Sequence, residues 1–118
     1  MTRPTLLLLP GLLCDRTVWE PQIEALAATA EIIVPHFWGQ DSFETMARTA
    51  LEIAPPRFAV AGHSMGGRVA LEIMRLAPER VDRLAVLDTG VHPVRPEEIG
   101  PRKELVALAE REGMAALV

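Results

Sequence analysis

The stretch Gly62-His63-Ser64-Met65-Gly66 constrains this chain more than any other. It is a G-x-S-x-G pentapeptide between an apolar run, Phe58-Ala59-Val60-Ala61, and a run from Arg68 to Ala77 with helical spacing. The flanks carry the information, because the bare pattern arises by chance in roughly one chain in twenty-five of this length. A strand before the serine and a helix after it force the backbone through a very tight corner. The serine at the tip must then adopt a conformation that costs free energy. A side chain two positions before or after it would clash, so both positions must be small. Gly62 and Gly66 meet that need, and Gly67 leaves room where the helix approaches the sheet. The competing reading is a glycine-rich turn with an incidental serine.

The rest of the chain alternates in a way that gives this corner a home. Thr5 to Leu9 is continuously apolar and stops at Pro10-Gly11, as a strand buried on both faces would. Trp19, Ile23, Leu26, Ala27 and Ala30 fall at helical spacing between Val18 and Ala30. Glu31 to Pro35 is a second, β-branched run. Asp41 with Glu44 reads as a helix start with a capping-box partner, and Pro55-Pro56 closes that helix. Arg57 to Ala61 predicts a third strand, and Pro78 stops the helix after the corner. Leu84 to Leu87 predicts a fourth strand, Val91 to Pro101 a proline-rich loop, and Lys103 to Glu112 a last helix. The alternation predicts an α/β fold: an open parallel sheet with helices on both faces.

Composition narrows the class. The chain has 118 residues, enough for one small domain, and 49% of them are hydrophobic. Net charge is 12 − 16 = −4 with no basic stripe, which argues against a nucleic-acid partner. Leu6 to Leu9 is too short for a signal core or a membrane span, so no membrane partner and a cytoplasmic location are expected. The lone Cys14 fits a reducing compartment and reads as a small loop or pocket residue rather than a catalytic thiol. The three histidines are scattered and no metal-ligand spacing occurs, so no metal and no cofactor are expected.

A serine hydroxyl at a sharp strand-to-helix corner is suited to nucleophilic attack once a base and an orienting acid reach it. Attack on a carbonyl also needs donors aimed at the developing oxyanion. The N–H of Met65, at the start of the helix, is one such donor. The loop after the first strand supplies a second candidate, Leu12, if the first and third strands are neighbours at a topological switch point. Trp38 and His63 are candidate pocket residues, and Asp88 at the end of the fourth strand is a candidate acid. An aspartate in that place also commonly just accepts backbone hydrogen bonds in the following turn.

Leu6-Leu7-Leu8-Leu9-Pro10-Gly11, Trp19, Gly62-His63-Ser64-Met65-Gly66-Gly67 and Arg80 to Asp88 together resemble the N-terminal half of an α/β-hydrolase-fold protein of the single-domain serine esterase and lipase type. The resemblance implies Ser64 as nucleophile and the Leu12 and Met65 amides as the oxyanion hole. It also implies a partial α/β-hydrolase fold over residues 1–118, incomplete at the C-terminus. Two departures stand out. The family usually has His-Gly where Pro10-Gly11 stands, and its general-base histidine lies far beyond the corner, where this sequence has only His92.

The expected function is a serine hydrolase that cleaves carboxylic esters or related acyl compounds through an acyl-enzyme, with a small-molecule acyl substrate. Two alternatives keep the same fold. One is a catalytically incomplete fragment or binding module that self-associates through an exposed edge strand. The other is a cofactor-free oxygenase or perhydrolase.

Overall fold

A computed structural model describes residues 3–117. The strands are β1 (Thr5–Leu9), β2 (Glu31–Ile33), β3 (Phe58–His63) and β4 (Val81–Leu87), all parallel, in the order β2-β1-β3-β4. The helices are α1 (Glu20–Leu26), α2 (Phe43–Ile53), α3 (Met65–Leu76) and α4 (Pro96–Glu112). The open parallel α/β sheet read from the sequence is the observed fold.

The period of two along β1 divides the core. Leu7 and Leu9 pack with Val60, Met46, Ala47, Ala50, Val69, Ala70 and Ile73 on the face covered by α2 and α3. Leu8 points the other way and packs with Ala61, Trp19 and Ile23, on the face covered by α1. Continuous leucine was therefore the right signature for a central strand, because both of its faces are covered. The chain steps outward from β1 to β2 and then crosses back to β3 on the opposite side of β1. The switch point between β1 and β3 leaves a crevice at the carboxyl ends of these strands.

The element boundaries differ from expectation where local hydrogen bonds intervene. A 3-10 turn, Arg16–Trp19, precedes α1, and the Asp15 carboxylate accepts the Thr17 N–H at 2.8 Å. The helix stops at Leu26 rather than Ala30. The Leu26 carbonyl accepts the N–H groups of Thr29 and Ala30 and the Thr29 hydroxyl, which turns the chain toward β2. The cap of α2 is Ser42, not Asp41: its hydroxyl accepts the Thr45 N–H at 3.1 Å, while Glu44 pairs with Arg48 one turn on.

The largest correction concerns residues 91–101, read as a loop. From Pro96 onward they are helical. Proline at the first helical position carries a preset φ, and the Glu98 carboxylate accepts the Arg95 N–H at 3.1 Å, closing the start of α4. Pro101 sits inside the helix and removes one backbone bond, which is why the sequence read as a breaker there. No residue of α4 is buried.

Arg80 ties the molecule together below the switch point. Its guanidinium donates to the carbonyls of Ala54, Pro55 and Pro56 and stacks over Phe58 at 5.5 Å. The C-terminal end of α2 is thereby fixed against the start of β4.

Candidate active site

Ser64 sits between β3 and α3, as the sequence requires. Its backbone adopts φ 54°, ψ −117°, outside the regions ordinarily open to a side-chain-bearing residue. Such strain costs roughly 1–3 kcal/mol and persists only where surrounding contacts fix it. Two glycines show why the corner can be so tight. A Cβ on Gly62 would overlap the Gly66 carbonyl, and a Cβ on Gly66 would overlap the Leu9 carbonyl. Gly66 therefore lets α3 press against the end of β1, which brings the serine to the switch point.

The loop after β1 meets it there. A Cβ built on Gly11 would lie 3.3 Å from Ser64 Cβ and 3.3 Å from the His63 carbonyl oxygen. Gly11 to Cys14 is a four-residue turn in which the Cys14 N–H donates to the Gly11 carbonyl at 3.1 Å. Leu13 occupies its third position at φ 62°, a left-handed conformation that normally selects glycine or asparagine. Leu12, the preceding turn residue, is exposed at the crevice.

Two cavities meet along Leu12 and Met65, which line both. One, of about 410 Å³, contains Ser64 with Phe43, Arg68, Asp88, Thr89 and His92. The other, of about 420 Å³, contains Cys14, His36, Phe37, Trp38 and Met46. Trp38 stacks on His36 with ring centroids 4.7 Å apart. Ser64, Leu12 and Met65 are thus brought together, and Trp38 lines the adjoining cavity.

His63 faces elsewhere. Consecutive side chains diverge at the corner, and His63 lines a small cavity with Trp19, Gln22 and Leu87 on the α1 side. Its Nε2 lies 3.7 Å from Asp88 Oδ2, and its Nδ1 is buried without a hydrogen-bond partner among the described residues. Asp88 lies at φ 51° with 88% of its side chain exposed. It lines the Ser64 cavity.

The structure also adds residues that the sequence reading had not joined to Ser64. Arg68 donates to the His92 carbonyl at 3.1 Å and lines the Ser64 cavity. His92 has Nδ1 2.8 Å from the Pro93 carbonyl and Nε2 3.9 Å from a Glu98 carboxylate oxygen. The Arg95 N–H bond holds the Glu98 carboxyl below the usual glutamate value, against a smaller desolvation effect; the charges of Arg102, His92 and Arg95 act in the same lowering direction. Thr89 donates its hydroxyl to the Ser64 carbonyl at 2.9 Å. The two bonded pairs, Arg68 with His92 and Thr89 with Ser64, are 24 and 25 residues apart in sequence, so no local pattern marks them. Among the described residues no group of three metal-ligating side chains converges, and no helix is long and apolar enough to cross a membrane.

A parallel sheet with a strained serine at its switch point, beside a turn that follows the first strand, defines the architecture of the α/β hydrolases. Residues 6–117 match that family, and the chain belongs to the alpha/beta hydrolase family. It is 32% identical over 111 residues to a pimeloyl-[acyl-carrier protein] methyl ester esterase of Klebsiella pneumoniae, covering 86% of this chain and 43% of the relative. A thermophilic esterase from Thermogutta terrifontis superposes with a TM-score of 0.81 at 30% identity, over 95% of this chain and 46% of that one. A hydrolase from Pseudomonas aeruginosa shares the fold, with a TM-score of 0.80 at 22% identity over 98% of this chain and 48% of the other. The chain spans less than half the length of these relatives.

Proposed function

We propose that this protein is a serine hydrolase acting on carboxylic esters or related acyl compounds. Ser64 attacks the substrate carbonyl, and the amides of Leu12 and Met65 receive the oxyanion. An acyl-enzyme forms and water releases it. A general base and an orienting acid activate Ser64 in this reading. The single observation that carries it is the backbone of Ser64, held at φ 54° on the rim of a cavity that Leu12 and Met65 also line. The names of the two esterases above agree with the reaction class. The adjoining cavity, walled by Phe37, Trp38 and Met46, suits a small, apolar acyl group.

The test is covalent. A fluorophosphonate should label the native protein at Ser64, and Ser64→Ala should abolish the adduct. A native protein that stays unlabelled while folded would remove the assignment.

A second reading is favoured by one observation. β4 is an edge strand, and Leu84, Val86 and Leu87 are 39%, 44% and 41% exposed. Such an edge offers unpaired N–H and C=O groups to another copy of the chain. Under this reading the 118 residues associate through β4 and serve as a binding module.

A further inference from the structure

The end of β4 grips the serine corner. The Ser64 N–H donates to the Leu87 carbonyl at 2.9 Å. The Ser64 carbonyl accepts from the Gly67 N–H at 2.9 Å and from the Thr89 hydroxyl at 2.9 Å. The same hydroxyl lies 3.1 Å from the Leu87 carbonyl. Asp88, at φ 51°, reverses the chain so that Thr89 folds back onto the corner. The fit is close, because a Cβ on Gly67 would overlap Thr89 Oγ1.

We propose that Thr89 is a positioning residue for the Ser64 nucleophile, aligning the oxyanion-binding amide of Met65 through the peptide unit that the two residues share. This rests on Ser64 being the nucleophile. The Ser64 carbonyl and the Met65 N–H belong to one planar unit, so fixing the direction of the oxygen fixes the direction of the hydrogen. The Gly67 N–H alone leaves that plane free to tilt with the first turn of α3. The Thr89 hydroxyl adds a second tether from a different element. It also draws electron density toward the carbonyl oxygen, which strengthens the opposite N–H as a donor. Losing an oxyanion donor costs about 10²–10³ in rate, and a donor that is tilted rather than lost costs part of that.

The experiment compares the native protein with Thr89→Val, Thr89→Ser and Gly67→Ala. Valine keeps the shape of threonine without the hydroxyl. Serine keeps the hydroxyl. The alanine methyl at position 67 takes the space of the hydroxyl and pushes Thr89 aside. Two quantities are read: the rate of fluorophosphonate labelling and the hydrogen exchange of the residue 67 amide, which donates to the tethered Ser64 carbonyl. Thr89→Val should slow labelling about tenfold and speed exchange by a similar factor. Thr89→Ser should restore both, and Gly67→Ala should reproduce the valine variant. Wild-type labelling of Thr89→Val overturns the proposal while leaving the nucleophile intact. Absence of labelling in the native protein removes the nucleophile assignment itself. Unchanged Gly67 amide exchange in Thr89→Val overturns the tether whatever the labelling shows.

Discussion

At the scale of single residues, the two adjoining cavities are lined by positive-φ backbones at Leu13, Ser64 and Asp88. Ser64 at φ 54° and Leu13 at φ 62° both hold a conformation that glycine adopts freely. Their situations differ. Ser64 is braced by Leu87, Gly67 and Thr89, whereas Leu13 is 55% exposed in a surface turn. Relief of its strain should outweigh the extra chain entropy of glycine. Leu13→Gly is therefore expected to raise stability by about 1 kcal/mol, the strain of roughly 1–3 less the usual 0.5–1 for glycine. Urea unfolding followed by circular dichroism measures it. A lower midpoint with unchanged slope would mean that the Leu13 side chain packs harder than its exposure indicates.

Among the elements, α4 stands apart. It buries no residue, so its start depends on capping rather than on packing. Glu98 supplies that cap through the Arg95 N–H. Its carboxyl is held below the ordinary glutamate value of 4.5, so the folded form binds its proton less readily than the unfolded chain does. The stabilisation is therefore complete above that ordinary value and is lost as pH falls through the lower folded one. The Arg95 amide proton resonance should stay constant from neutral pH down to about 5 and move only below the ordinary carboxylate range. Glu98→Gln keeps an acceptor but has no proton to gain, and should flatten the response. An Arg95 resonance that shifts equally in both proteins would remove Glu98 as the cause.

Over the whole molecule, shape and edge carry the consequences. The radius of gyration is 15.3 Å, against about 13.5 Å for a compact domain of this length. The principal extents are 52 × 28 × 23 Å. The unburied α4 and the uncovered β4 agree with that elongation. The isolated 118 residues should self-associate in sedimentation velocity, and Val86→Lys on the edge should shift the population toward monomer. A sharp monomer peak at all concentrations would count against association through β4.

The sequence by itself determined the order of the elements, the parallel sheet and the serine corner. These are local matters: four leucines in a row, glycines two positions either side of a serine, and prolines at helix ends leave the backbone little choice. It misjudged residues 91–101, because proline at a helix start and proline as a breaker look alike until the Glu98 cap is seen. Tertiary structure alone decided that Leu12 and Met65 share a wall, that His63 turns to the opposite face, that Thr89 reaches the serine from 25 residues away, and that Arg68 meets His92 across a separation of 24. Hydrogen bonds between separate strands depend on register and crossover, and no window of neighbouring residues carries that information.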